Sequence, residues 1–407
     1  MWVPRNAQEI EDAARGGRLI ETPSFDAKAD LPAAKKNIDV AKDVAAMGTD
    51  GGVLLYGVGE DENGNPTRPG PLALAGTADR VSQIVSTSIA EVPFIELREI
   101  PCADQESRGY LAVVVPQSAR APHMVIVNGD NRYYGRDAKG NRILTEGDVA
   151  RLYERRQRWE IDREQVLIEV IKGAPLYPSA TQGYIYAFTR PAAVDEGIFE
   201  RAQATIGQQQ VELMRWLMAT VNSTELQGAY GPSLGHSPYL RRHGADMWRW
   251  ATRSVEDIDP NGSDPTSLVT LDVNLDGRGQ LFCGRATDTR VRDPDRPPRV
   301  IEIVIAGNVE AFFTVMGAIY EAAGYHGAVD VGVAITGVKG AESERANRNY
   351  ARFDLARYPV DQYRRTDRVA AAELRAAPAL SQRLLRHFFE ATTEIDGWNP
   401  WTQPKNR

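Results

Sequence analysis

The chain has 407 residues, 42% of them hydrophobic and 25% charged, with a formal net charge of −7. That length predicts two or three domains, and the composition is that of an ordinary globular protein. An acidic balance excludes a chain that is basic throughout, the usual footprint of a nucleic-acid binder, but leaves room for a local basic groove.

No apolar run approaches the ~18 uninterrupted residues of a membrane span, so no membrane partner is expected. Residues 1–17, MWVPRNAQEIEDAARGG, hold no apolar segment of the secretory-signal kind. Cys102 and Cys283 lie far apart and make no zinc or redox spacing. A reducing, cytoplasmic setting is the expectation.

In chain order, AQEIEDAARGG predicts a short helix stopped by glycines. LIETPSFDAKAD follows as a strand, with Phe25 and Ala27 on one face and Ser24, Asp26 and Lys28 on the other. LPAAKKNIDVAKDVAAMG reads as a helix with Pro32 in its first turn. Ala34, Ile38, Ala41 and Ala45 fall on one face of it. VLLYGVG is apolar enough to be a strand buried on both faces. A polar loop, EDENGNPTRPGP, leads to a helix at ADRVSQIVSTSIA. Strands are expected at FIELREIPC, YLAVVVPQS, MVIVNG and RYYGRDA. TEGDVARLYERRQRW closes the region as a helix, with Thr145 as N-cap.

This first region, residues 1–162, is an expected mixed α/β or α+β domain. A second α+β domain is expected over 163–407. It opens with the strand GYIYAFTRP and continues with one helix at FERAQATIGQQQVELMRWLMATV. Strands are expected at SLVTLDVNL, QLFCGRAT, VIEIVIAG and AVDVGVAITGV, and helices at VEAFFTVMGAIYEAAG and LSQRLLRHFFEATTEI.

Several segments suggest chemistry and do not sustain it. DVNLDG from Asp272 resembles the start of an EF-hand loop, but Cys283 occupies the twelfth position, where a bidentate acid is needed. A strand and hairpin turn fit better. GGVLLYGVG lacks the lysine and hydroxyl of a P-loop, which counts against a nucleotide-hydrolysing reading. Gly51 and Gly52 are expected to end a helix and permit close packing. The histidines His123, His236, His243, His326 and His387 show no ligand spacing. Around His243, Arg241, Arg242, Trp248 and Trp250 offer either a base-stacking surface or a helix face with buried tryptophans.

A further constellation is formed by Glu21-Thr22, Phe25-Asp26-Ala27-Lys28, a helix, Gly51-Gly52-Val53-Leu54-Leu55-Tyr56-Gly57-Val58, an acidic loop, Pro122, YYGRDAKG and TEGDVARLY. This order resembles the Schlafen-type AlbA-like domain over residues 9 to 158. That family typically shows an acid, four residues, Glu-Phe-Lys, a helix ending Asn-Thr-x-Gly-Gly, and an apolar strand into Gly-Val-Asp-Asp. A proline, Tyr-x-Arg-x-Gly and a closing helix follow. Here Asp26 stands for the Glu, Ala27 for the Phe and Gly48 for the Asn, and GVGED replaces Gly-Val-Asp-Asp.

The resemblance implies nucleic-acid binding, with RNA or DNA as partner. In some members it implies a metal-dependent endoribonuclease. On that basis Glu21, Asp26, Lys28 and Asp61 are the catalytic candidates, and Glu21, Asp26, Glu60 and Asp61 the candidate ligands of magnesium or manganese. Clustered carboxylates need a cation to neutralise them, a bound ion would activate water, and Lys28 would face developing phosphate charge. Arg132, Arg136, Lys139 and Arg142 are the candidate phosphate contacts. The alternative is a nonenzymatic regulator that binds a partner or ligand through the C-terminal domain. Homo-oligomerisation is left open.

Overall fold

The computed structural model describes residues 2–33, 36–127, 130–137, 140–174, 182–193, 197–226, 230–237, 239–253, 265–288, 297–345, 356–393 and 399–402. The protein is a mixed α+β protein. It forms two compact units, Met1–Trp159 with His326–Ala328, and Glu160–Tyr325 with Val329–Arg407.

The N-terminal unit begins with α1 (Ala7–Arg15), β1 (Phe25–Lys28), α2 (Asn37–Met47) and β2 (Gly52–Tyr56). Next come β3 (Val58–Glu60), β4 (Pro66–Pro69), β5 (Leu72–Ala73), α3 (Thr77–Ser88), β6 (Ile89–Ala90), β7 (Glu96–Cys102) and β8 (Gln105–Val115). The hairpin strands β9 (Met124–Val127), β10 (Asp130–Asp137) and β11 (Gly140–Ile143) lead into α4 (Glu146–Gly173).

The main sheet runs β1-β2-β8-β5, with β7 also paired to β8. The strand period of two sorts its side chains. Val53, Leu55, Tyr110, Ala112 and Val114 join Ile10 and Ala14 of α1 in one core. Leu54, Tyr56, Leu111, Val113 and Val115 join α2 and α3 in the other. This is why β2 is apolar throughout. Gly51 takes φ +87°, and a Cβ on Gly52 would meet the Met47 sulfur at 2.9 Å. The two glycines therefore let the chain leave α2 and pack back against it.

Helix α2 starts later than expected. Residues 31–33 are irregular, and the Pro32 carbonyl accepts a hydrogen bond from Arg80 instead. Asn37 and Asp39 occupy the first turn, where a negative side chain suits the helix dipole.

Helix α4 is longer than expected. It contains no proline, and Leu167 and Val170 carry its apolar face into the C-terminal unit. There the elements are β12 (Tyr184–Pro191), α5 (Ile198–Ile206), α6 (Gln210–Asn222), β13 (Tyr239–Arg242), β14 (Met247–Ala251), β15 (Val269–Asn274) and β16 (Gly279–Cys283). The chain continues with β17 (Thr287–Asp288), β18 (Arg299–Val300), α7 (Glu302–Ala322), β19 (Ala328–Thr336), β20 (Glu342–Ser343), β21 (Gln362–Ala370) and α8 (Ala377–Thr393).

The seven-stranded sheet runs β13-β14-β15-β16-β12-β19-β21. Helices α5 to α8 cover one face. The second half of α4 packs with Tyr186, Phe188 and Phe282 on the other.

The single helix expected over α5 and α6 breaks at Gly207, whose φ of +136° only glycine adopts readily. Gln209 and Glu212 then form a capping box for α6. VIEIVIAG, expected as a strand, supplies the first turns of α7. A short apolar run fits a buried helix as well as a strand, and Glu302 at its start accepts a hydrogen bond from Ser343. Helix α7 is long and apolar enough to cross a membrane by composition, yet 83% of that stretch is buried inside the protein. It is a core helix by that measure.

Candidate functional site

Strand β1 lies at the edge of the N-terminal sheet, paired in parallel with β2 so that Asp26 sits opposite Leu54 and Ala27 opposite Leu55. Ala27 is buried in the α1 core. Asp26 and Lys28 therefore fall on the α2 side, where the β10–β11 hairpin closes the edge. Glu21, Asp26, Lys28, Asp43, Arg136 and Asn141 line a cavity of about 270 Å³ there.

Asp26 is 1% exposed. Lys28 Nζ donates to its Oδ1 at 2.9 Å and Arg136 Nη1 to its Oδ2 at 3.0 Å. Arg136 also reaches Asp43 Oδ1 at 3.4 Å, and Asn141 Nδ2 donates to the same oxygen at 2.6 Å. Glu21 accepts from the Ala27 amide at 3.3 Å.

The carboxylates divide by environment. Glu21 is exposed on one side, and its partial desolvation at the cavity pushes it up to about 7, helped by its hydrogen bond to Asp26 and by that residue's charge. Burial opposes ionisation of Asp26 too, but hydrogen bonds from Glu21 and Lys28 and the charges of Lys28 and Arg136 outweigh it and hold Asp26 below its usual range. Burial, with the Asp26 charge, raises Asp43 to about 6. Lys28 is raised: burial works against its charge, but the bond to Asp26 prevails.

The structure thus brings Glu21, Asp26 and Lys28 together, but not Glu60 or Asp61. After β2 the chain turns at Gly57, φ +105°, into a separate two-stranded ribbon of β3 and β4. Asp61 is used there: its Oδ1 accepts from the Asn63 and Asn65 amides, each at 2.9 Å, and its Oδ2 from Thr67. Those amides hold its carboxyl below the usual range. Glu60 is exposed at the end of β3. The further buried carboxylate at the cavity is Asp43, which the sequence reading did not select.

The residues as placed do not fit magnesium or manganese. Among the described residues no group of three or more His, Cys, Asp or Glu side chains is placed to hold a metal ion. Both oxygens of Asp26 already face cations, the Lys28 ammonium and the Arg136 guanidinium.

Arg136 also lines a second cavity, of about 470 Å³. Five arginines surround it, Arg136, Arg142, Arg151, Arg155 and Arg158, against two aspartates, Asp50 and Asp148, a formal excess of three positive charges. Helical spacing puts Arg151, Arg155 and Arg158 on one face of α4. Arg155 is fixed by bonds to Asp50 at 2.7 Å and to the Thr49 carbonyl at 2.6 Å. Arg142 pairs with Asp148 at 2.7 Å. The side chain of Arg136 is 7% exposed, and its buried Nε has no hydrogen-bond partner in the protein.

Of the expected phosphate contacts, Arg136 and Arg142 line this cavity. Arg132 is exposed on β10 and lines neither cavity. Lys139 lies outside the described residues. Arg151, Arg155 and Arg158 were not selected from the sequence, although their spacing in RLYERRQRW was visible.

No protein-family model matches the chain, and no curated protein matches it. Among solved structures it is similar to the N-terminal domain of a protein from Nitrosomonas europaea named as related to the ATP-dependent DNA helicase RecG. The identity is 21%, over 31% of this chain and 84% of that one, with a TM-score of 0.23. A TM-score this low identifies neither a shared fold nor a shared activity.

In the C-terminal unit the tryptophan–arginine segment is a pair of strands, not a helix. Trp250 is fully buried and meets Phe199 edge-on at 6.2 Å, so it offers no face to a base. Arg249 is held by Asp272 through two bonds, of 2.6 and 2.7 Å. The cavity beside that pair is about 50 Å³, room for water rather than for a larger ligand.

Proposed function

We propose that the N-terminal unit binds nucleic acid through its phosphate backbone, at the arginine cavity between the β10–β11 hairpin and α4. The observation that supports this reading is the convergence of five arginines on one cavity in a chain whose net charge is −7. Guanidinium groups match phosphate oxygens through paired donors, and an acidic protein has no general reason to gather them. The order of motifs that resembles the Schlafen-type AlbA-like domain points the same way.

The reading predicts salt-sensitive binding. The slope of log K against log salt should be roughly −2, about −0.7 for each neutralised phosphate of a single strand. Arg151→Ala combined with Arg158→Ala should weaken binding and flatten that slope, whereas Arg15→Ala, on α1, should change neither. Fluorescence anisotropy across a salt series measures both. An unchanged slope in the double variant would remove the arginine cavity from the interface.

A second reading is favoured by the divided carboxylates. Glu21 near 7 beside an ionised Asp26 suits proton transfer at neutral pH, with Lys28 positioned to face phosphate charge. No metal step enters. Cleavage of RNA should then persist in EDTA and be lost in Glu21→Gln. Intact RNA after incubation with the wild-type protein leaves the unit a binder.

A further inference from the structure

The arginine cavity is lined by an aromatic side chain as well as by cations. Trp159 lines it from α4, eight residues beyond Arg151 and so about 12 Å along the helix. The Arg155 guanidinium lies 4.7 Å from its ring centroid. That guanidinium is anchored by Asp50 and the Thr49 carbonyl. The ring is therefore held beside fixed positive charge, and it is only partly buried.

We propose that the cavity takes single-stranded nucleic acid, with one base stacked on Trp159 while Arg142, Arg151 and Arg158 hold the neighbouring phosphates. This rests on the nucleic-acid reading of the same cavity and adds the class of substrate. Every base has a π-face, so an aromatic ring beside a basic track binds single strands with little regard to sequence. A base inside a duplex already has both faces covered, and reaching Trp159 would require unstacking it. Phosphate contacts alone make no such distinction, because both forms carry the same backbone. An acidic protein segment would satisfy the arginines equally, but only a flat π-system makes use of both the ring and the guanidinium beside it.

The test uses the full chain and short labelled oligothymidine, oligouridine and a duplex of matching length, followed by anisotropy. Either single strand should bind roughly tenfold or more tightly than the duplex. Trp159→Ala should lower single-strand affinity by roughly five- to a hundredfold, towards the duplex value, without flattening the salt slope. Trp159→Phe should restore much of the loss and, with circular dichroism, guards against a folding defect in the alanine variant. Duplex binding as tight as single-strand binding, or equal losses for both in Trp159→Ala and Trp159→Phe, overturns the proposal while leaving phosphate binding in place. No binding to any of the three overturns the nucleic-acid reading itself.

Discussion

Burial of Asp43 beside Asp26 makes its negative charge costly, and this ties the stability of the N-terminal unit to pH. Its folded pKa is raised from 3.8 to about 6. Between those values the folded state keeps a proton that the unfolded state has released, so stability falls as pH rises through the window. The difference amounts to roughly 3 kcal/mol once both states are ionised. Asp43→Asn keeps an acceptor for Asn141 and removes the charge. Urea unfolding should show the variant gaining on the wild type by up to about that amount between about pH 4 and pH 7. A constant difference across pH would mean that Asp43 ionises freely. The alternation of Phe25-Asp26-Ala27-Lys28 made the pairing of Asp26 with Lys28 legible in the sequence. Asp43 was less so, because a carboxylate four residues from Asp39 passes for a solvated helix face. The signal was its setting: apart from Lys42, its neighbours from Val40 to Met47 are all apolar, and in the fold they are all buried.

At the scale of elements, α4 carries its cap and its cations on one structure. Thr145 Oγ1 accepts from the Asp148 amide at 3.3 Å while Asp148 Oδ2 accepts from the Thr145 amide at 3.0 Å, a reciprocal capping box. The same carboxylate binds Arg142 and Arg151. Asp148→Ala should lower the melting temperature through the lost cap and, by releasing two arginines, tighten nucleic-acid binding and steepen its salt dependence. Tighter binding with a lower melting temperature is the signature; weaker binding would show that Asp148 orients the arginines more than it neutralises them. Elements with strong punctuation were legible: α1 ends at its glycines, and the β15–β16 turn falls at Asp276-Gly277. Elements decided by tertiary cover were not. Of VIEIVIAG, expected to be a strand, only Val300 lies in one, and α4 continues past Trp159 because a second core receives Leu167 and Val170.

At the scale of the molecule, the net charge of −7 and the arginine cavity are of opposite sign. A net negative charge repels a polyanion at a distance, so attraction is local to the place where arginines outnumber acids. Composition gave the sign of the whole and could not show where the minority charge gathers. In the C-terminal unit some ionic groups serve the interior, beside exposed pairs such as Arg386 with Glu390. Asp330, fully buried, is held by Arg190 and Arg368, and Glu310 binds the Trp401 indole and the Glu225 amide. Residues of that kind read in a sequence as candidate sites, and in the fold they are supports.

Arg136 belongs to both cavities, and this makes binding and protonation two views of one equilibrium. Its charge lowers the proton affinity of Asp26 and Asp43. A phosphate drawn to Arg136 from the arginine side weakens that hold and adds negative charge nearby, so Asp43, whose carboxyl is already raised to about 6, binds a proton more readily, while Asp26 stays ionised. By reciprocity, protonation of Asp43 strengthens the phosphate contact by the same factor. Complex formation should therefore take up protons around pH 6, and affinity should rise as the solution is acidified through that range. Calorimetric titration in buffers of different ionisation enthalpy would count the protons, and Asp43→Asn should reduce the number.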